Sequence, residues 1–130
     1  MLKQQQKLRH RLTNSCLSIR KGQLSGCLFL YLCGMFDVTL ISDTTADGIR
    51  RASFLTCGIV CSEQIDIELE GDTIREIRYT KGCHGNTQGV AALCKGMKVD
   101  EVIARLDGID CHGRGTSCPD QLARALKKLL

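Results

Sequence analysis

Residues 65–80 constrain the fold more than any other stretch of the chain. Ile65, Ile67 and Leu69 alternate with Asp66, Glu68 and Glu70, the period of a half-buried strand with an acidic outer face. Gly71 and Asp72 turn the chain, and residues 73–80 return with Ile74, Ile77 and Tyr79 set among Arg75, Glu76 and Arg78. This reads as a β-hairpin, with a change of apolar phase near Glu76 that a bulge absorbs. An earlier strand over residues 53–60 is expected to join it.

The apolar face of such a hairpin needs a cover, and the chain beyond it supplies helical patterns. Val90, Leu93, Cys94 and Met97 fall at helical spacing, with Asn86 or Thr87 as a cap and Gly96 as a stop. Residues 100–106 give a second short helix with Val99, Val102, Ile103 and Leu106 on one side. After a glycine-rich loop at 107–117, a third helix starts at Pro119, preceded by Ser117 or Cys118. Asp120 then sits near its positive end, Lys127 and Lys128 near its negative end. Leu122, Ala125, Leu126 and Leu129 form its buried face. Strands first and helices after predict an α+β sandwich, a small antiparallel sheet of about three strands covered on one face by three helices. With no Trp, two Tyr and three Phe in 130 residues, its interior is aliphatic and thin. Something besides apolar burial is expected to help hold it.

Charge divides the chain unevenly. Residues 1–51 carry eight Lys and Arg against three Asp, whereas residues 52–130 carry ten against eleven acidic side chains. The near-neutral second part lacks the clustered bases and stacking aromatics of a nucleic-acid site, so nucleic acid is not an expected partner. The first part is polar and basic over residues 1–23 and apolar over residues 24–36, a superficial likeness to a secretory signal. The basic stretch is long, no small-residue cleavage site follows, and the apolar run is shorter than the roughly 20 residues of a membrane span. Residues 1–51 are therefore expected to be a disordered leader or an upstream extension, residues 52–130 the domain, and the location cytoplasmic rather than membrane-bound.

Nine cysteines, an odd number, argue against a closed disulfide framework and for free thiols or metal ligands. Four lie where the chain turns between elements: Cys61, Cys83, Cys111 and Cys118. Elements of a sandwich can bring such turns to one edge. Cys83 and Cys118 fall at helix starts, where partial positive charge favours the thiolate that binds metal. Glycines at 82, 85, 108, 113 and 115 let backbone approach closely. Separations of 22, 28 and 7 residues are not paired zinc knuckles, so only the fold can unite these thiols. Cys94 is expected to pack as a small hydrophobe. Cys57 is read equally as an extra ligand or a buried residue, and His84 and His112 as solvated loop residues or ligands.

The series Val60-Cys61-Ser62, a hairpin, residues 82–86 (GCHGN), residues 99–111 (VDEVIARLDGIDC) and residues 116–126 (TSCPDQLARAL) resembles the TSCPD domain family. What this resemblance implies is a small auxiliary module, similar to the C-terminal domain of adenosylcobalamin-dependent ribonucleoside-diphosphate reductases. A more distant similarity is to NifU-type iron–sulfur cluster scaffolds, whose cluster cysteines would fall on Cys61, Cys83 and Cys118.

Three functions remain open on these residues. One is a binding module in which Cys61, Cys83, Cys111 and Cys118 hold Zn²⁺ or an iron–sulfur cluster, as a staple or for docking a protein partner such as a ribonucleotide reductase or a cluster-assembly protein. Another is a thiol–disulfide relay, with Cys111 and Cys118 as one pairing. The last is a purely structural interaction domain. No nucleophile–base pair, paired carboxylates or nucleotide loop points to catalysis by this chain alone, and any reductase activity would rest on resemblance.

Overall fold

The computed structural model describes residues 35–130, and the unit Phe36–Leu130 holds the elements that follow. The basic stretch at 1–23, nearly all of the apolar run at 24–36, and Cys16, Cys27 and Cys33 lie outside the described residues.

Four strands form one antiparallel meander in the order β1 (Thr39–Ala46), β2 (Ile49–Leu55), β3 (Ser62–Glu70), β4 (Thr73–Lys81). The sheet thus has four strands rather than three. Asp47 and Gly48, both left-handed with φ of 54° and 75°, make the tight turn between β1 and β2. The early strand ends at Leu55 rather than reaching position 60. Beyond it, the Thr56 amide bonds the Glu63 carbonyl at 3.0 Å and the Thr56 hydroxyl bonds the Ser62 carbonyl. Gly58 adopts φ 77° between these anchors, so residues 56–61 close a loop. Thr39–Ala46 and residues 49–51, placed with the leader by composition, are sheet in the structure.

The β3–β4 hairpin has the expected bulge. Glu68 pairs with Glu76 and Leu69 with Ile74, leaving Arg75 as the extra residue. That one-residue slip returns Ile74 and Ile77 to the same face, where they are 0% and 4% exposed. Ala52, Phe54, Ile65, Ile67 and Leu69 complete the inner face. The outer face is polar, with Arg51 paired to Glu68 and the Ser53 hydroxyl donating to Asp66 at 2.6 Å.

Three helices, α1 (His84–Cys94), α2 (Val99–Leu106) and α3 (Cys118–Lys127), follow the strands and cover the inner face. Leu122, Ala125, Leu126 and Leu129 of the last helix and its continuation are all buried, as are Val99 and Val102 of α2. Helix α1 departs from expectation. It begins at His84 with Cys83 as the capping position, and Thr87 bonds back to the Cys83 and His84 carbonyls instead of capping. Its buried residues are Thr87 and Cys94, with Val90 and Ala91 half-buried, while Leu93 is 77% exposed. Residues 96–98 bind the edge of β4 through Ile74 N–H to Met97 O at 2.9 Å and Gly96 N–H to Ile74 O at 2.8 Å. This backbone stitching fixes the turn from α1 into α2 against the sheet.

Candidate functional site

The open end of the β3–β4 hairpin positions the first two thiols. Ser62 pairs with Lys81, so Cys61 just precedes the hairpin and Cys83 just follows it. Between Lys81 and Cys83 the chain must leave the strand and enter α1 at once, with Lys81 at φ 60° and Gly82 at φ 100°. A Cβ at Gly82 would stand 2.9 Å from Thr87 Cγ2 and 3.4 Å from Ser62 Cβ. Glycine is therefore required by conformation and by space. At Gly85 no such neighbour exists within 4 Å, so close approach is not its role.

The other two thiols come from the glycine loop and the helix it feeds. Asp110 accepts hydrogen bonds from the Gly113 and Gly115 amides, folding the loop around its own carboxylate. Cys111 N–H bonds the Thr116 carbonyl at 3.2 Å. Ser117 caps α3 by accepting from the Asp120 amide at 3.1 Å, and its hydroxyl donates to the Ile109 carbonyl at 2.6 Å. Cys118 is the first residue of that helix and Pro119 the second, so the helix opens one residue earlier than expected.

The polar residues after Cys118 are buried, which sequence reasoning missed. Asp120 is 1% exposed and accepts from Thr116 Oγ1 at 2.7 Å, the Gly108 amide at 2.8 Å and Arg124 Nε at 2.8 Å. Burial pushes its carboxyl pKa up, but the Arg124, Thr116 and Gly108 hydrogen bonds outweigh burial and hold it below the ordinary carboxylate value. Gln121 is fully buried; its amide donates to Phe36 O at 2.6 Å and Thr116 Oγ1 at 3.0 Å and accepts from the Cys57 N–H at 3.0 Å. A hydrophilic pair in the first turn of a helix otherwise apolar on that side was the available signal.

All four cysteines line one cleft of about 190 Å³, together with Val60, Asn86, Ile109, Asp110, Arg114, Ser117 and Pro119. Their environments differ. Cys61 and Cys83 are exposed, Cys111 is half-buried and Cys118 is buried, with the Ser62 hydroxyl donating to Cys118 Sγ at 3.3 Å. Arg114 Nη1 reaches Cys61 Sγ at 3.9 Å and the Ile59 carbonyl at 3.5 Å. The Cys83 thiol has its pKa raised, chiefly by hydrogen bonding to the neighbouring Cys61 thiol and by repulsion from it, with smaller contributions from burial, Cys118 and Cys111.

The remaining candidates lie elsewhere. Cys94 is buried in the core at 4% exposure, and burial pushes its thiol pKa up. Cys57 is half-buried, and neither it nor His84 or His112 lines the cleft. The His84 ring faces Gln88 across one turn of α1. His112 occupies a left-handed position in the glycine loop, φ 57°. Among the described residues, no three His, Cys, Asp or Glu side chains already stand in an arrangement that holds a metal ion, so the four thiols share a cleft without forming a finished cage. No helix among the described residues is long and apolar enough to cross a membrane.

Comparison with curated proteins and with solved structures finds no match, and the likeness to NifU-type scaffolds is not borne out. The profile of the TSCPD domain matches residues 43–130, a span that holds all four cleft cysteines and every helix described above, and the chain belongs to the TSCPD domain family.

Proposed function

We propose that this domain binds a thiophilic metal, Zn²⁺ or an iron–sulfur cluster, through Cys61, Cys83, Cys111 and Cys118, as an auxiliary module rather than an enzyme in its own right. The observation that carries the reading is the meeting of four thiols, distant in sequence, around one small cleft. The donor set fits the group: four sulfurs suit tetrahedral Zn²⁺ or iron. Four thiolates without a cation would repel one another, as the Cys61–Cys83 neighbourhood already displays. The Arg114 guanidinium and the starts of α1 and α3 bring positive charge toward the excess negative charge that four thiolates leave on a divalent metal. Cys61 and Cys83 are exposed at the mouth of the cleft, while Cys118 is held by the Ser62 hydroxyl.

Bound metal would supply folding free energy, on the order of 10 kcal/mol for structural zinc, which is large for a thin aliphatic core. Six free cysteines among the described residues favour a reducing compartment, and the cytoplasm is the proposed location. A protein partner is proposed with it, of the ribonucleotide reductase kind that the family resemblance implies.

Anaerobic purification of the full chain, followed by metal analysis and visible absorption, tests this reading. One equivalent of colourless zinc or the visible absorption of an iron–sulfur cluster supports it. Cys→Ser at 61, 83, 111 or 118 then lowers metal content sharply, whereas Cys94→Ser leaves it intact. Full retention in all four single variants, or a reduced wild-type protein that takes up neither metal, overturns it.

A further inference from the structure

The four thiols of the cleft are not equivalent, and the inequality follows the hairpin. Cys61 and Cys83 flank the open end of one antiparallel pair, whose last matched residues are Ser62 and Lys81. Both side chains line the same cleft. Both are exposed, with Arg114 beside Cys61, so a small oxidant reaches them from solvent. Cys118, by contrast, is 8% exposed and held by the Ser62 hydroxyl, and Cys111 is half-buried with its backbone tied to Thr116. Oxidation is steered toward accessible, adjacent thiols.

We propose that Cys61 and Cys83 are a disulfide-forming pair, and that closing this bond empties the metal site. The inference rests on the metal-binding reading above. The oxidant is a peroxide. One thiolate attacks a peroxide oxygen, the O–O bond breaks and water leaves, giving a sulfenic acid; the second sulfur then displaces its hydroxyl as a second water. Two thiols and one hydrogen peroxide become one disulfide and two waters, with two electrons passing from sulfur to oxygen. The sulfurs remaining on Cys111 and Cys118 are half a tetrahedral set and lose the metal. A dithiol reductant reverses the change by exchange. The bond would tie together chain ends that the β3–β4 register already holds side by side, so it asks little movement of the sheet.

The test uses the full chain, reduced and loaded with Zn²⁺ alone, then exposed to stoichiometric hydrogen peroxide. Released zinc is read with a colorimetric chelator, and linkages are mapped by alkylation and peptide mass spectrometry. Expected is a dominant peptide joining Cys61 to Cys83, zinc released in step with its appearance, and rebinding after reduction. Linkage mainly at Cys111–Cys118, or a Cys61–Cys83 bond with zinc retained, overturns this proposal and leaves the metal reading standing. Failure of the fully reduced chain to take up zinc or iron before any peroxide is added overturns both, and is distinguished by that earlier stage.

Discussion

Helices α1 and α3 both open on a cysteine at the same cleft, yet the two starts are built differently. At α3, Ser117 caps the helix, Asp120 gathers three donors, Gln121 ties Phe36 and the Cys57 amide, and Cys118 is buried. At α1, Cys83 occupies the capping position with no side-chain cap and an exposed thiol, and only Gly82 beneath it is tightly fitted. One start is a scaffold held by many partners, the other an arm held by few. A site that must admit and release a ligand can use such a pairing, since the fixed donors set the geometry and the loose ones complete it.

The sharpest way to break this contrast is Asp120→Ala. Removing a buried carboxylate that orders Thr116, Gly108 and Arg124 is expected to lower the unfolding free energy by about 3 kcal/mol in urea titrations. The same group has a pH signature. Its folded pKa lies below the unfolded value of about 3.9, so its stabilisation is complete above that pH and is lost as pH falls through the folded pKa. Asp120→Asn should flatten that acid limb of stability, measured as melting temperature against pH. A limb unchanged in the variant would remove Asp120 from the scaffold.

Gly82→Ala comes next, at about 2 kcal/mol, because it combines an unfavourable φ of 100° with a 2.9 Å approach to Thr87. Thermal melts that match the wild type would show that the entry to α1 relaxes freely. Ser117→Ala should cost about 1 kcal/mol through loss of the α3 cap. His84→Ala, on the arm, should stay within about 0.5 kcal/mol and leave metal content unchanged. A large His84 effect would make the two helix starts more alike than their contacts indicate.

The sequence made some of this legible and hid the rest for physical reasons. Residues 65–80 could be read because one side of each strand is buried, and even the bulge at Arg75 left a trace in the apolar phase. The buried face of α3 was equally plain at Leu122, Ala125, Leu126 and Leu129. Strand β1 could not be read that way: all eight of its residues are exposed, so TLISDTTA carries no inside–outside alternation. Leu93 misled because helical spacing gives a stripe but not which edge of it is covered. The choice of Cys61, Cys83, Cys111 and Cys118 came from their places at turns, and the sheet register and glycine loop gather those turns at one cleft. The inward placement of Asp120 and Gln121 left only a faint trace, a hydrophilic pair in the first turn of α3, since polarity alone points outward and only tertiary partners reverse it.

The short segment ahead of β1 matters more than its length suggests. Phe36 packs its ring so close to Gly115 that a Cβ there would stand 3.0 Å from it, its carbonyl receives Gln121, Val38 is 2% exposed, and Lys128 bonds the Val38 carbonyl while pairing with Asp37 at 2.8 Å. Fragments begun at residue 52, where composition alone would put the cut, would take Val38 out of the core, strip a hydrogen-bonding partner from Gln121 of α3 and remove the ring that packs against Gly115 in the loop that carries Cys111. Anyone shortening this chain should keep Phe36.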